Sequence, residues 1–264
     1  MQTGFKIDHI VIMVNNLAAA MQDYAALGFT VLEGGVHEAS PTHNALVVFE
    51  DGVYLEIIAL RLGEETSPRS GRVEKWVQAG PGLVDMALLP QNIEADILAA
   101  RERGLDIEDA APGGRVTPDG QQIAWKTANL NGDGLPFFCA DVTPRSWRVP
   151  EGDVRQHPNG ATGVAGVTIA VADLADSVAQ WQALLGINPQ NNARSSMLEA
   201  KTTVFFLDDV TTITLAQAEN DAGPLKSYLA AGGARPYSFT LRASQSRELD
   251  LVKTHGARIS LVGA

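Results

Sequence analysis

His9 and Glu56 are the two residues whose surroundings ask for chemistry. His9 interrupts the apolar, β-branched run from Ile7 to Val14, and Glu56 sits inside another apolar run, VYLEIIAL. A carboxylate buried in such a run without a cation or a donor costs several kcal/mol or takes up a proton. Glu56 therefore needs a partner. An imidazole together with a carboxylate suits a divalent first-row metal with open positions for substrate oxygens. Period-2 alternation puts His9 on one strand face with Ile7 and Val11, and Glu56 on one with Tyr54 and Ile58. Of the other histidines, His43 opens a β-rich run beside Asn44 and is an extra ligand or a base. His37 reads as a solvated histidine of the loop GGVHEAS, His157 falls in a linker, and His255 complements a helix end beside Gly256. Cys139, in FFCADV, reads as a small inert core residue.

The elements that must position these groups follow from periodicity and punctuation. MQTGFKIDHIVIMV is a strand covered on both faces, and LAAAMQDYAALGF has its apolar residues Leu17, Met21, Tyr24 and Leu27 at helical spacing before Gly28. Three β-rich runs follow, FTVLEGG, HNALVVFE and VYLEIIAL, the last two joined by the hairpin signal Asp51-Gly52. The same order of elements then recurs. GLVDMALLPQNIEADILAARERGLDI begins a second unit and GVAGVTIAVADLADSVAQWQALLGI a third. A fourth, from Pro236, stops after a strand, a helix and one strand. Overlaying Leu17 on Leu174 pairs Tyr24 with Trp181 and Ile12 with Ile169. The Pro-, Gly- and charge-rich stretch between the second and third units marks a boundary. The expected organisation is a first pair of βαβββ modules over 1–142, a linker over 143–162, and a second, degenerate pair over 163–264.

Four such units in two pairs, with Asp8-His9 on the opening strand, Thr42-His43-Asn44 on the third and Tyr54-Leu55-Glu56 on the fourth, resemble the vicinal oxygen chelate superfamily of glyoxalases and extradiol dioxygenases. Within it the chain is most similar to glyoxalase-like domain proteins. Trp125 and Leu135-Pro136-Phe137-Phe138 resemble that family's second module. The resemblance implies an α+β fold of paired modules forming cupped mixed sheets, the fourth module truncated. It also implies metal ligands projecting inward from the first and fourth strands of each module. Overlaying Leu17 on Ile93 sets Asp85 at the position of His9. Overlaying Gly52 on Gly134 sends Glu56 to Phe138, or by a one-residue slip to Phe137 or Cys139. The implied site is one divalent ion (Zn, Ni, Mn, Fe or Mg) held by His9, Glu56 and Asp85. Glu56 or His43 would move a proton, and Tyr54, Asn44, Trp125 and Phe138 would line the substrate pocket. In the second pair His9 corresponds to Gly166 and Glu56 to Ile213 or Thr214, so no metal is expected there. That half completes the fold, packs on the first half, or forms the surface of a homodimer.

Composition narrows the partners. The chain has 264 residues, 45% hydrophobic and 19% charged, and a formal net charge of −11. That sign argues against nucleic acid and anionic membranes. One cysteine excludes an internal disulfide framework and makes reducing cytoplasm the simplest compartment. The N-terminal run is too short for a membrane span and lacks the shape of a signal peptide. No glycine-rich phosphate loop, nucleophile elbow or dinucleotide fingerprint is present, so no nucleotide cofactor is expected. Arg61, Arg69 and Arg72 read as a solvated loop set, with recognition of an anionic group as the alternative. The functional expectation is a metal-dependent enzyme of lyase or isomerase type acting on a small oxygen-rich substrate. The alternative is a metal-free protein of the same fold that binds or sequesters a small molecule.

Overall fold

The structure of the chain, a computed structural model, describes residues 4–263 apart from 39, 62, 64–70 and 222. The first module runs β1 (Lys6–Met13), α1 (Leu17–Ala26), β2 (Leu32–His37), β3 (Thr42–Val48) and β4 (Tyr54–Leu60), and α2 (Gly71–Ala79) follows it. The second runs β5 (Gly82–Leu89), α3 (Ile93–Glu102), β6 (Ala111–Val116), β7 (Gln122–Asn129) and β8 (Phe137–Asp141). Short α4 (Arg145–Arg148) and a 3-10 turn (Gly152–Arg155) lead to the third, made of β9 (Gly163–Ala170), α5 (Leu174–Leu185), β10 (Asn191–Ser195), β11 (Ala200–Phe206) and β12 (Thr212–Ala218). After α6 (Pro224–Gly232) the fourth has only β13 (Arg235–Ala243), the two-residue β14 (Arg247–Glu248) and β15 (Arg258–Gly263).

The repeat is visible at single residues. Asn16, Asn92 and Asp173 each cap the helix of their module, accepting a backbone N–H three residues on at 3.0 Å. The helix expected in the fourth module is instead a series of turns over 251–256, where His255 at φ 54° and Gly256 at φ 89° take left-handed backbone. Leu251 and Val252 are exposed there, so no apolar stripe exists to hold a helix against the sheet.

The first two modules close an eight-stranded barrel in the order β1-β4-β3-β2-β6-β7-β8-β5, and the last two form a seven-stranded sheet, β10-β11-β12-β9-β13-β15-β14. These are the two cupped mixed sheets that the family resemblance implies. One hydrophobic core runs through both. It joins Ile10, Ile12, Leu55 and Ile57 on the outer face of the barrel to Ile169, Ile213 and Phe239 of the second sheet, with Tyr24 and Trp181 from α1 and α5. Polar bonds stitch the halves at the edges of this core: Tyr228 Oη donates to the Leu83 carbonyl at 3.0 Å, and Arg103 Nη2 to the Leu184 carbonyl at 2.9 Å.

What remains on the inner face of the barrel is a smaller cluster, Val11, Met13, Ile58, Val84, Ala87, Phe137 and Cys139. Val73 and Trp76 of α2 close over it. α2 is the element the sequence reading took for a charged loop. Its apolar pair, three residues apart, shares one helix face and seals the barrel end with a buried indole. In the second sheet α6 takes the corresponding place, packing Leu225, Tyr228 and Leu229 on Ala170, Ala200, Ala216 and Tyr237. No described helix is long and apolar enough to cross a membrane.

Candidate active site

A β-bulge sets the site. Between Ile7 and His9 the β1–β5 register slips by one residue, so Asp8 is extra. Strict alternation would send Asp8 and His9 to opposite faces. The bulge turns both side chains to the same side and takes Ile7 out to the main core, away from the face it was expected to share with His9. His9 Nδ1 then lies 2.7 Å from Asp8 Oδ2. Asp8 is wholly buried and accepts from Arg148 Nη1 at 2.6 Å, Arg148 Nη2 at 3.0 Å and Arg145 Nη1 at 2.7 Å. Burial alone would raise its pKa, but the Arg148 charge and the His9 hydrogen bond hold it well below the usual carboxylate range. An ionised carboxylate only accepts. In the neutral imidazole the proton therefore sits on Nδ1, leaving Nε2 as the acceptor that faces the barrel interior.

Glu56 stands on the other side of that imidazole, its Oε2 3.4 Å from His9 Nε2. Parallel pairing of β1 with β4 sets Val11 beside Glu56 and His9 beside Tyr54, whose ring stacks on the imidazole at 4.8 Å. Glu56 Oε1 accepts from Asn44 Nδ2 at 2.7 Å and lies 3.4 Å from His37 Nε2. Burial pushes its pKa up. The His37 hydrogen bond, the His9 and His37 charges and the Asn44 amide more than offset this, and Glu56 titrates at about 2. Asn44 fits only because β2 has Gly34 opposite, where a Cβ would overlap the carboxamide; Gly113 makes the same room for Trp125.

These groups line a cavity of about 220 Å³. His9, His37, Asn44, Tyr54, Glu56, Arg115, Trp125, Phe137, Cys139 and Arg148 form its wall. Of the residues singled out in the sequence, His9, Glu56, Asn44, Tyr54 and Trp125 line this one cavity.

Three other expected residues sit elsewhere. His43 lies on the outer face of β3, opposite Val36 and Ala59, because Thr42 and Asn44 take the inward positions. Burial and the nearby Arg61 charge lower its pKa without bringing it to the cavity. Phe138 is fully buried against Phe5 in the main core, and its neighbour Phe137 faces His9 instead. Asp85 is drawn away by α2: it accepts from Arg72 Nη1 and from Trp76 Nε1, the latter at 2.8 Å, and from the Met86 N–H at 2.8 Å. Arg72 is thereby a strut of the lid. Arg69 lies outside the described residues.

The donor set was tested against a divalent ion. Among the described residues, the metal-ligating atoms that gather within 4.8 Å of one another are those of Asp8, His9 and Cys139. Both Asp8 oxygens are saturated by arginines and His9, and His9 Nδ1 is consumed by Asp8. Burial pushes the Cys139 thiol far up, so it stays protonated. Of the expected triad only His9 Nε2 and Glu56 Oε2 face the same space, since Asp85 is bound to Arg72 and Trp76. His37 Nε2, 3.4 Å from Glu56 Oε1, is a third potential ligand, but among the described residues His9, Glu56 and His37 do not gather their ligand atoms within 4.8 Å of one another, and next to buried guanidinium groups this set is a poor fit for a divalent ion.

Sequence reasoning missed four groups. His37 is the last residue of β2, where paired glycines and a register slip hide the strand's alternation. Arg145 and Arg148 come from the stretch read as linker. The available signal was Asp8 itself, a carboxylate in an apolar strand that demands a cation. Arg115 gave no signal, as it lies in the glycine-rich β6.

With this geometry in hand, comparison with known proteins is informative about the fold. The glyoxalase-like domain family matches residues 7–185. A hypothetical protein from Staphylococcus aureus has the same architecture at a TM-score of 0.76 and 14% identity, the match covering 98% of this chain and 100% of that one. A triple mutant of 4-hydroxymandelate synthase from Streptomyces coelicolor follows at 0.62 and 15%, covering 94% of this chain and 72% of its own. No curated protein matches the chain. The family match spans most of the chain, so the chain belongs to the glyoxalase-like domain family.

Proposed function

We propose that this protein is an enzyme of isomerase or lyase type that moves a proton on a small oxygen-rich molecule bound in the barrel, with His9 as the base. The observation that carries the proposal is the Asp8–His9 pair, buried and aimed at the cavity with Glu56 beyond it. Asp8 fixes the tautomer. His9 Nε2 takes a proton from the carbon next to a substrate carbonyl, and the imidazolium then lies between two ionised carboxylates. The proton returns from Nε2 to the neighbouring carbon or oxygen in an isomerisation, or to a leaving oxygen in an elimination. Glu56, ionised down to about pH 2, is too weak a base to keep the proton itself and acts as counter-charge. The Tyr54 and Phe137 rings fix the imidazole plane and exclude water around it.

Solvent-deuterium exchange followed by proton NMR on small ketones and 2-oxo acids tests this reading. The wild type is expected to exchange the C–H next to the carbonyl of at least one of them, and His9→Gln to slow that exchange roughly 10²–10⁴-fold. Equal rates in the two proteins would remove His9 from the base role.

A second reading keeps a divalent ion on His9 and Glu56, favoured by their 3.4 Å separation, a spacing two ligands of one ion can span. Elemental analysis after exposure to Zn, Ni, Mn, Fe and Mg salts and gel filtration separates the two. The proton-transfer reading expects less than about 0.1 equivalent retained, unchanged in Glu56→Gln. Stoichiometric metal that disappears in Glu56→Gln would favour the metal reading.

A further inference from the structure

Arg115 is a buried cation with no ion pair among the described residues: burial lowers its pKa, and the Glu56 charge offsets this only from beyond ion-pair distance. It is 2% exposed, and among the described residues no carboxylate comes within 4.0 Å of its guanidinium. Among the described residues its side chain donates from Nη2 to the Arg148 carbonyl at 3.1 Å, and its buried Nε has no partner. The contrast with its neighbours is informative. Arg148 is satisfied by Asp8 and Asp141, Arg145 by the same two, and Arg72 by Asp85. These three arginines of the barrel each meet a carboxylate at ion-pair distance, and Arg115 meets none among the described residues. A buried charge without an ion pair is costly to keep, and a buried polar group left unsatisfied in a native fold calls for an explanation, of which an absent charged partner is one.

Its position says what kind. On β6 Arg115 pairs across the module seam with His37 of β2, so both side chains enter the cavity from adjacent strands. His37 contacts Glu56, and Glu56 contacts His9. Arg115 lines the cavity without an ion-pair partner among the described residues, and a carboxylate is the group that pairs most strongly with a guanidinium. We propose that Arg115 anchors a carboxylate of the ligand, so that the cavity binds a small oxygenated acid rather than a neutral carbonyl compound. The acid group sits at the β2–β6 seam, and the oxygen-bearing carbon beside it faces His9 and Glu56. Only the placement of the reacting carbon rests on the proton-transfer reading; the anchoring of the acid does not.

The test is calorimetric titration with lactate, 3-hydroxybutyrate and 3-phenyllactate, each beside its own amide. At least one acid is expected to bind with one site per chain, and its amide at least tenfold more weakly. Arg115→Gln should weaken that acid by about 30-fold or more and erase the difference between acid and amide. Arg115→Met supplies a readout that needs no ligand. It removes an unpaired buried charge at similar volume, so the free protein should melt at a higher temperature than wild type. Acids and amides binding alike, none of the acids binding, or a lower melting temperature for Arg115→Met would each overturn the proposal. Failure of the base reading looks different: His9→Gln would still exchange deuterium while acid binding still depended on Arg115.

Discussion

Asp8→Asn is expected to cost roughly 3–5 kcal/mol of folding stability, read as a lower denaturation midpoint in urea at unchanged slope. Asp8 is wholly buried and takes four charge-assisted bonds, two from Arg148, one from Arg145 and one from His9. Arg148 is 1% exposed and also holds Asp141 at 2.6 Å and the Tyr54 hydroxyl at 2.9 Å. Neutralising Asp8 leaves that guanidinium half-paired in the interior, and this penalty, more than the lost attraction, sets the size of the effect. Arg145 contributes less, since its side chain is about a third exposed and water screens it. A double change distinguishes a charge effect from a packing one. Asp8→Asn combined with Arg148→Met should recover more than half of the loss, because no buried cation is then stranded. A cost below about 1 kcal/mol for the single change would mean that α4 is held on the barrel by something other than this network.

The same network shows what the sequence could and could not disclose. The four-module grammar was legible because helix caps and hairpin turns repeat at fixed offsets, Asn16, Asn92 and Asp173 among them. His9 and Glu56 were legible because a polar residue in an apolar strand announces a need. The errors came from parity and from long-range contacts. A bulge at Asp8 breaks the period of two, so the residue that orients His9 is its own neighbour, which alternation forbids. His43 and Phe138 each sit one residue from an inward position, and a one-residue difference in strand phase moves a side chain from cavity to core. Asp85 does occupy the place in β5 that His9 has in β1. Its fate was decided by α2, whose Arg72 and Trp76 reach it from nine to thirteen residues away in sequence. Arg148 meets Asp8 across 140 residues. No local pattern encodes such a contact.

Glu56→Gln should flatten the acid limb of the stability curve. In the folded protein Glu56 titrates at about 2, against 4.5 for an unperturbed glutamate. The folded pKa is depressed, so the native state favours the ionised form. The resulting stabilisation is complete above about pH 5 and disappears as the pH falls toward 2. A difference of this size corresponds to about 3 kcal/mol at neutral pH. The variant is therefore expected to be less stable than wild type by up to about that amount at pH 7, and the two denaturation free energies should converge between pH 5 and pH 2. A slope will remain in the variant, because Asp8 is held below the usual range as well and goes on losing its stabilising charge. Parallel curves over that interval would mean that His37, His9 and Asn44 do not hold the ionised carboxylate as the geometry implies. The shift also bears on the chemistry. A carboxylate that stays charged to pH 2 cannot set an acid limb of activity near neutrality, so if proton exchange falls between pH 7 and pH 5, Glu56→Gln should change its rate and leave the midpoint of that fall to another group.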